Sequence, residues 1–220
     1  MGDGHFDFAW YDVYLGIVCN YTDIDYEMCS VLYNVGALHS ILGSQETRAS
    51  SEGMKVACTN FQCAAWSFHT IPDRFPQHTG GSDMSADLLA FLSQVCLAQA
   101  QECILEKSIL DHRKPGIIAK VCAQVSEYYV AALRKIEASN RENKLETISE
   151  SVGDKRSRAW IKYIDFKSQY YKAIAFLYLG IDAEESQKMG ERVAYYNAAS
   201  ESLGKTAKMA KVSYHKMITK

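Results

Sequence analysis

The sequence predicts an all-α protein built from antiparallel helical hairpins, and three observations predict it. Apolar residues recur at i, i+3, i+4 and i+7 through most of the 220-residue chain, which is the spacing of a helix face. Only three prolines and 13 glycines interrupt them, too few for a many-turned sandwich or barrel. With 48% hydrophobic and 23% charged residues, the chain can bury one sizeable core, which argues against disorder, collagen and a coiled-coil rod.

A short aromatic opening runs from His5 to about Leu15. The first helix spans Asp25–Leu42 on the stripe Met28, Val31, Leu32, Val35, Leu38 and Leu42, with Gly43 as its C′ stop. The second spans Thr47–Phe68, where Met54, Ala57, Phe61, Ala64, Ala65 and Phe68 repeat, and it ends before Pro72 because a residue preceding proline is biased away from helix. Pro72–Ser82, with Pro72, Pro76, Gly80 and Gly81, is the strongest loop signal. The third helix runs from the N-cap Ser85 to Leu110, with Leu88, Leu92, Val95, Cys96, Gln99, Cys103 and Leu110 near one face. Pro115, at a favoured first-turn position, opens a fourth that reaches about Ala138. The polar segment Ser139–Arg158 follows as a surface connection with room for one short helix. Two last helices, Arg158–Leu179 and Ala183–Ala210, form a hairpin around Gly180. Six helices in three antiparallel pairs stack as hairpins or a solenoid-like array. The pairs Tyr128–Tyr129, Tyr170–Tyr171 and Tyr195–Tyr196 resemble tetratricopeptide packing, although no repeat of fixed period is visible.

The chemistry is sparse. A net charge of −2, from 24 Lys+Arg against 26 Asp+Glu, provides no general field for a polyanion and disfavours nucleic acid. The seven cysteines are odd in number and sit in apolar stretches, which fits core thiols in a reducing compartment. No secretory leader opens the chain and no apolar run is read as a bilayer span, so the expected location is cytosolic. Phe6 stands where a myristoylation site needs Ser or Thr, so no lipid anchor is expected. There is no C-x-x-C, and Cys58 and Cys63 point to different helix faces. His39 and His69 lack a Cys or carboxylate partner close in sequence. Phosphate-cradling and nucleophile-elbow motifs are missing too. The expectation is no active site, no metal and no cofactor.

Two basic clusters, Lys155, Arg156, Arg158 and Lys162 with Lys167 and Lys172 farther along the same helix, and Lys205, Lys208, Lys211, Lys216 and Lys220, read as solvated helix faces. Membrane contact is expected to be peripheral at most. The fourth helix carries more information. Ile118, Cys122, Val125 and Tyr129 form an ordinary core stripe, and Ile117 with Val121 forms a second apolar pair one position earlier. Periodicity leaves two readings open: a helix buried between two neighbours, or an exposed groove for an amphipathic partner helix.

Several segments resemble the Bro-one domain family found in Alix and in the His-domain protein tyrosine phosphatase. They are Tyr33-Asn34-Val35-Gly36-Ala37-Leu38-His39, Glu52-Gly53-Met54-Lys55 through Phe61-Gln62-Cys63-Ala64-Ala65, Leu97-Ala98-Gln99-Ala100-Gln101-Glu102, and Gly190-Glu191-Arg192-Val193-Ala194-Tyr195. The opening Phe8-Ala9-Trp10-Tyr11-Asp12 is similar to the rhophilin branch. The Glu52–Ala65 and Gly190–Tyr195 stretches look closest to the His-domain phosphatase. The resemblance covers residues 8–210, leaving 1–7 and 211–220 as terminal extensions.

The resemblance implies a curved, tetratricopeptide-like helical solenoid that acts as a non-catalytic scaffold. Its implied partner is the C-terminal amphipathic helix of an ESCRT-III subunit, charged multivesicular body protein four, along with other endosomal sorting proteins. Its implied place is the cytoplasm, with recruitment to endosomes. The family's concave binding patch maps onto Ile117 and Val121, with Ile104 on the preceding helix contributing to the rim. Two departures accompany it. A complete Bro-one domain is longer, so this chain looks like its middle portion and exposes apolar faces that further elements would cover. The phosphatase signature, His-Cys followed by a Gly-containing loop ending in Arg, is missing from the chain. A rhophilin-like small-GTPase adaptor and an enzyme of unknown type are the alternatives.

Overall fold

Each long apolar stripe folds as a helix. The computed structural model describes residues 6–78, 83–141 and 147–218, with side chains through Met209. Two strands, β1 (Phe8–Asp12) and β2 (Ile17–Tyr21), precede seven helices: α1 (Ile24–Gln45), α2 (Ser51–Arg74), α3 (Ala86–Leu110), α4 (Pro115–Arg141), α5 (Ile148–Val152), α6 (Asp154–Glu185) and α7 (Met189–Ile218). The long helices pack in chain order, α1 on α2, α2 on α3, α3 on α4, α4 on α6 and α6 on α7, the hairpin array that the pattern predicts. Short α5 sits in the polar connection, closed by a capping box between Thr147 and Glu150. Ser50 and Ser85 cap α2 and α3 by accepting from Gly53 N–H and Leu88 N–H.

The aromatic opening is an antiparallel hairpin with Phe8 opposite Tyr21 and Asp12 opposite Ile17. It turns at Gly16 (φ 74°), a conformation that favours glycine. The Asp12 carboxylate accepts from the N–H groups of Tyr14 and Leu15 at 2.8 and 2.9 Å. Trp10 Nε1 donates to Glu27 Oε2 at 2.7 Å, tying the hairpin to α1. Asp83 shares a cavity of about 110 Å³ with Trp10, Asp12 and Ser30. Burial, reinforced by the Asp12 charge, pushes its carboxyl up to about 6 from 3.8. Because the folded value is raised, ionisation is harder in the native state. Below pH 3.8 both states are protonated and Asp83 is neutral to stability; as pH climbs through about 6 it becomes destabilising. Urea midpoints recorded from pH 4 to 7 are therefore expected to show Asp83→Asn gaining on the native sequence as pH rises. A pH-independent difference between the two would contradict the assignment.

Several helix ends differ from expectation. Gly43 does not stop α1; it lies buried inside it, and a Cβ there would meet the Phe61 ring at 3.0 Å, so the glycine serves close approach of α2. Helix α2 starts at Ser51 rather than Thr47 and runs through Pro72 to Arg74, Pro72 sitting in its last turn. The Phe75 N–H still reaches Ile71 O at 2.9 Å. Gly180 is likewise no turn. It is buried within α6 against the Tyr196 ring of α7, and the chain reverses at Ser186–Lys188, where Gln187 adopts φ 59°.

Apart from half-buried Leu32, which packs on the core, the stripe that predicts α1 points outward. Ile24, Met28, Val31, Val35, Leu38 and Leu42 are exposed, while Tyr26, Cys29, Ser30, Gly36 and Gly43 are buried. Small residues let α1 lie close on α2, and its larger apolar residues form the outer face of the array's first helix. At the centre, α3 is by length and composition apolar enough to cross a membrane, contrary to the sequence expectation; 56% of its most apolar window is buried between its neighbours. Residues 79–82 of the expected loop, 142–146 of the polar connection, and both chain ends (1–5 and 219–220) lie outside the described residues. So do the side chains of Lys211, Lys216 and Lys220.

Candidate functional site

The turn between α3 and α4 sets up the site. Asp111 N–H caps α3 on Lys107 O at 2.9 Å, His112 takes a positive φ of 50°, and Lys114 O receives the first N–H groups of α4, from Ile117 and Ile118. Pro115 occupies the first position of α4, where its missing N–H goes unneeded. Farther along, Gln94 Nε2 donates to Tyr128 O at 3.4 Å. The turn and this bond hold the two helices antiparallel, with Ile104 and Val121 each six residues from the helix end that faces the turn.

On α4 the two apolar stripes separate. Ile118, Cys122, Val125 and Tyr129 are 4% exposed or less and belong to the main core. Ile117 is 46% exposed. Val121 is half-buried and packs on the edge of that core. Ile104 on α3 is 39% exposed, and Leu97, seven residues earlier on the same face, is 37% exposed. Among the apolar residues that packed α3 and α4 leave open or half-open are Ile104 and Leu97 on one and Ile117, Val121 and half-buried Tyr128 on the other, and together they outline a candidate seam.

Beneath this seam lies an ionic network outside the sequence expectations, and it takes Lys167 out of the solvated basic face that its spacing suggests, because a buried carboxylate needs a cation beside it. Glu102 is 3% exposed. It accepts from Tyr129 OH at 2.6 Å and from Lys167 Nζ at 2.9 Å, and Arg48 stands 3.7 Å from its other oxygen and 3.3 Å from Glu106. Burial opposes the Lys167 charge, yet Glu102 holds its ammonium above the usual range. Burial and the Glu102 carboxylate push the Tyr129 phenol up, so it stays a donor. Tyr171 stacks on Tyr129 with centroids 6.2 Å apart. The network ties α3, α4 and α6 together and fixes the wall on which the exposed residues stand. A signal existed: Glu102 lies fourteen residues after Leu88, in the phase of the buried face, where an unpaired charge is not tolerated.

Several other polar groups have packing or local partners. Burial pushes the Cys103 thiol up to about 11 and those of Cys96 and Cys122 up to about 12, so they are protonated packing groups at neutral pH. All seven cysteines are free. His39 Nδ1 bonds Asn60 Oδ1 at 2.8 Å, and His69 is exposed, 4.0 Å from Asp73. Among the described residues no group of three or more His, Cys, Asp or Glu side chains converges as a metal site. Of the basic clusters, Arg156 lies over the Tyr14 ring at 5.1 Å and donates to Val152 O, and Lys205 pairs with Glu201 at 2.9 Å.

Comparison with known proteins places this geometry in context. The model of the BRO1-like domain matches residues 2–220. Tyrosine-protein phosphatase non-receptor type 23 of Mus musculus is 43% identical over 203 residues, 92% of this chain and 12% of that protein. Vacuolar protein-sorting protein bro1 of Emericella nidulans is 31% identical over 187 residues, 85% of this chain and 17% of that protein. The chain therefore spans less than a fifth of either relative. Among solved structures, the ALIX BRO1 CHMP4C complex superposes with a TM-score of 0.81 at 25% identity, covering 92% of this chain and 56% of that one.

Proposed function

The chain belongs to the BRO1-like domain family, and from that premise we propose that it is a non-catalytic scaffold whose α3–α4 seam binds an ESCRT-III helix. The helix is the C-terminal amphipathic one of a subunit of the charged multivesicular body protein four type. The work it serves is endosomal sorting and multivesicular body formation, by recruitment from the cytoplasm to endosomes. The observation that carries the reading is the 46% exposure of Ile117 directly beside Ile118, which is 4% exposed. Core packing already has its stripe, so the second apolar pair is left for a partner, and an amphipathic helix presenting i, i+3 and i+4 anchors fits such a surface. The CHMP4C complex of the similar ALIX domain supports it. The non-catalytic part rests on the sequence, which lacks the His-Cys signature loop of a tyrosine phosphatase. Residues 8–210 form the part of the domain proposed to act.

The test is a titration of this chain into a fluorescent peptide bearing that C-terminal helix. Saturable one-to-one binding is expected, and a flat titration at millimolar protein would sink the proposal. An internal control follows from geometry. Ser126 bonds Ser168 and Gly116 bonds Asp182, so α4 and α6 run antiparallel and Ile117 is level with the far end of α6. At 1.5 Å per residue, the cluster at Lys155, Arg156 and Arg158 lies roughly 33 Å along α6 from that level. Changing all three to Glu is expected to leave affinity within about twofold at physiological salt, since charges beyond a screening length contribute little. Abolished binding would place the interface elsewhere.

A further inference from the structure

We infer that the Ile117 end of the seam is a cationic clamp for the anionic end of the docked helix. Its partner therefore carries acidic residues in its last turn, and that turn lies over Arg113, Lys114 and Lys120. This inference rests on the α3–α4 reading above and adds the partner's charge and its direction.

Three observations carry it. Arg113, Lys114 and Lys120 are exposed around Ile117, two in the turn that leads into α4 and one a single turn beyond. The nearby charges are otherwise engaged. Lys107 and Asp111 pair at 2.5 Å, and Lys107 first, with Arg113 adding, holds the Asp111 carboxyl below its usual range. Asp182 is turned to the N–H of Gly116 at 3.1 Å. Among the described residues, Arg113, Lys114 and Lys120 form no ion pair within 4.0 Å. The sign also changes along the seam: seven residues past Lys120, exposed Glu127 follows on α4, roughly 10 Å farther at 1.5 Å per residue. A uniformly acidic helix would meet repulsion there, whereas a helix acidic at one end matches the gradient. Asp182 already occupies the N-terminus of α4, so the exposed cations set the direction: a docked helix carries its negative dipole end at its C-terminus, and that is the end that fits over them.

The experiment uses three peptides with one apolar face: Glu in the last turn, Gln at those positions, or Glu moved to the first turn. Each is titrated against this chain and against the Arg113→Gln, Lys114→Gln, Lys120→Gln triple variant, at about 50 and 300 mM salt, where screening differs strongly. The peptide with Glu in its last turn is expected to bind the native chain about tenfold tighter than its Gln counterpart at low salt, the sum of three exposed pairs. The advantage disappears at high salt and in the triple variant, whose melting curve is unchanged because all three side chains are exposed. Equal affinities at low salt, or a preference for Glu in the first turn, would overturn the clamp. Should the Gln peptide bind in an Ile117-dependent way while Glu adds nothing, the seam stands and the clamp falls. If no peptide binds, or Ile117→Asp leaves the Gln peptide's affinity unchanged, the seam itself is wrong and the clamp falls with it.

Discussion

Ile117→Asp is expected to lose helix binding while the chain melts as before. Residue 117 is the third of α4 and 46% exposed, so an aspartate there keeps its hydration in the free protein. A negative charge in a first turn is favoured by the helix dipole, and the fold changes by no more than about 0.5 kcal/mol. Docking an apolar helix face over that carboxylate strips its water and removes an anchor. The loss is on the order of 2–4 kcal/mol, or about 30- to 1,000-fold in affinity. If the residue were core, the same change would bury the charge and unfold the chain. Titration and thermal unfolding of the same sample separate the two, and a lowered melting temperature with proportionate loss of binding would contradict the seam.

The largest expected effect on stability comes from Lys167→Met. Lys167 is the nearest cation to Glu102, at 2.9 Å, whose side chain is 4% exposed. Removing it leaves a buried carboxylate with the Tyr129 hydroxyl and an arginine 3.7 Å away. Breaking a buried pair from one side destabilises by about 3–5 kcal/mol, and replacing both partners with apolar side chains recovers much of that. Urea unfolding is thus expected to show a loss of about 3 kcal/mol for Lys167→Met, the low end because Arg48 remains, and a smaller loss for Glu102→Leu combined with Lys167→Met. A single-variant loss below about 1 kcal/mol would show that water, not Lys167, solvates the carboxylate.

Helix existence was legible because it depends on local spacing. The Ser85 cap and Pro115 marked the starts of α3 and α4, the helices that form the site. What spacing does not contain is what a residue meets across the fold. A glycine in an apolar stripe reads equally well as a stop or as a place for close approach; the Phe61 ring at Gly43 and the Tyr196 ring at Gly180 decide for approach. For the same reason the 3.6-residue period located α1 without revealing that its larger stripe faces outward. The hairpin was missed because two five-residue strands hold too few positions for alternation to stand out from an aromatic cluster.

At the site, periodicity separated Ile117 and Val121 from the core stripe but left two readings, and family resemblance chose between them. Exposure now distinguishes the pair: Ile117 is open, whereas Val121 is half-buried at the edge of the core. The cations of the 111–114 turn passed unremarked because each is ordinary alone. Their grouping with Lys120 follows only from the turn that seats α4 beside α3.

On this proposal a helix seats between α3 and α4 and not on α1, although α1 offers a longer exposed apolar stripe. The most direct test is a backbone-amide chemical-shift map of the isotope-labelled chain, titrated with the C-terminal helix of the ESCRT-III subunit. Saturable shifts grouped in residues 97–104 and 113–128 are predicted, with α1 silent. Shifts concentrated on residues 24–42 of α1, or spread without grouping, would contradict the account.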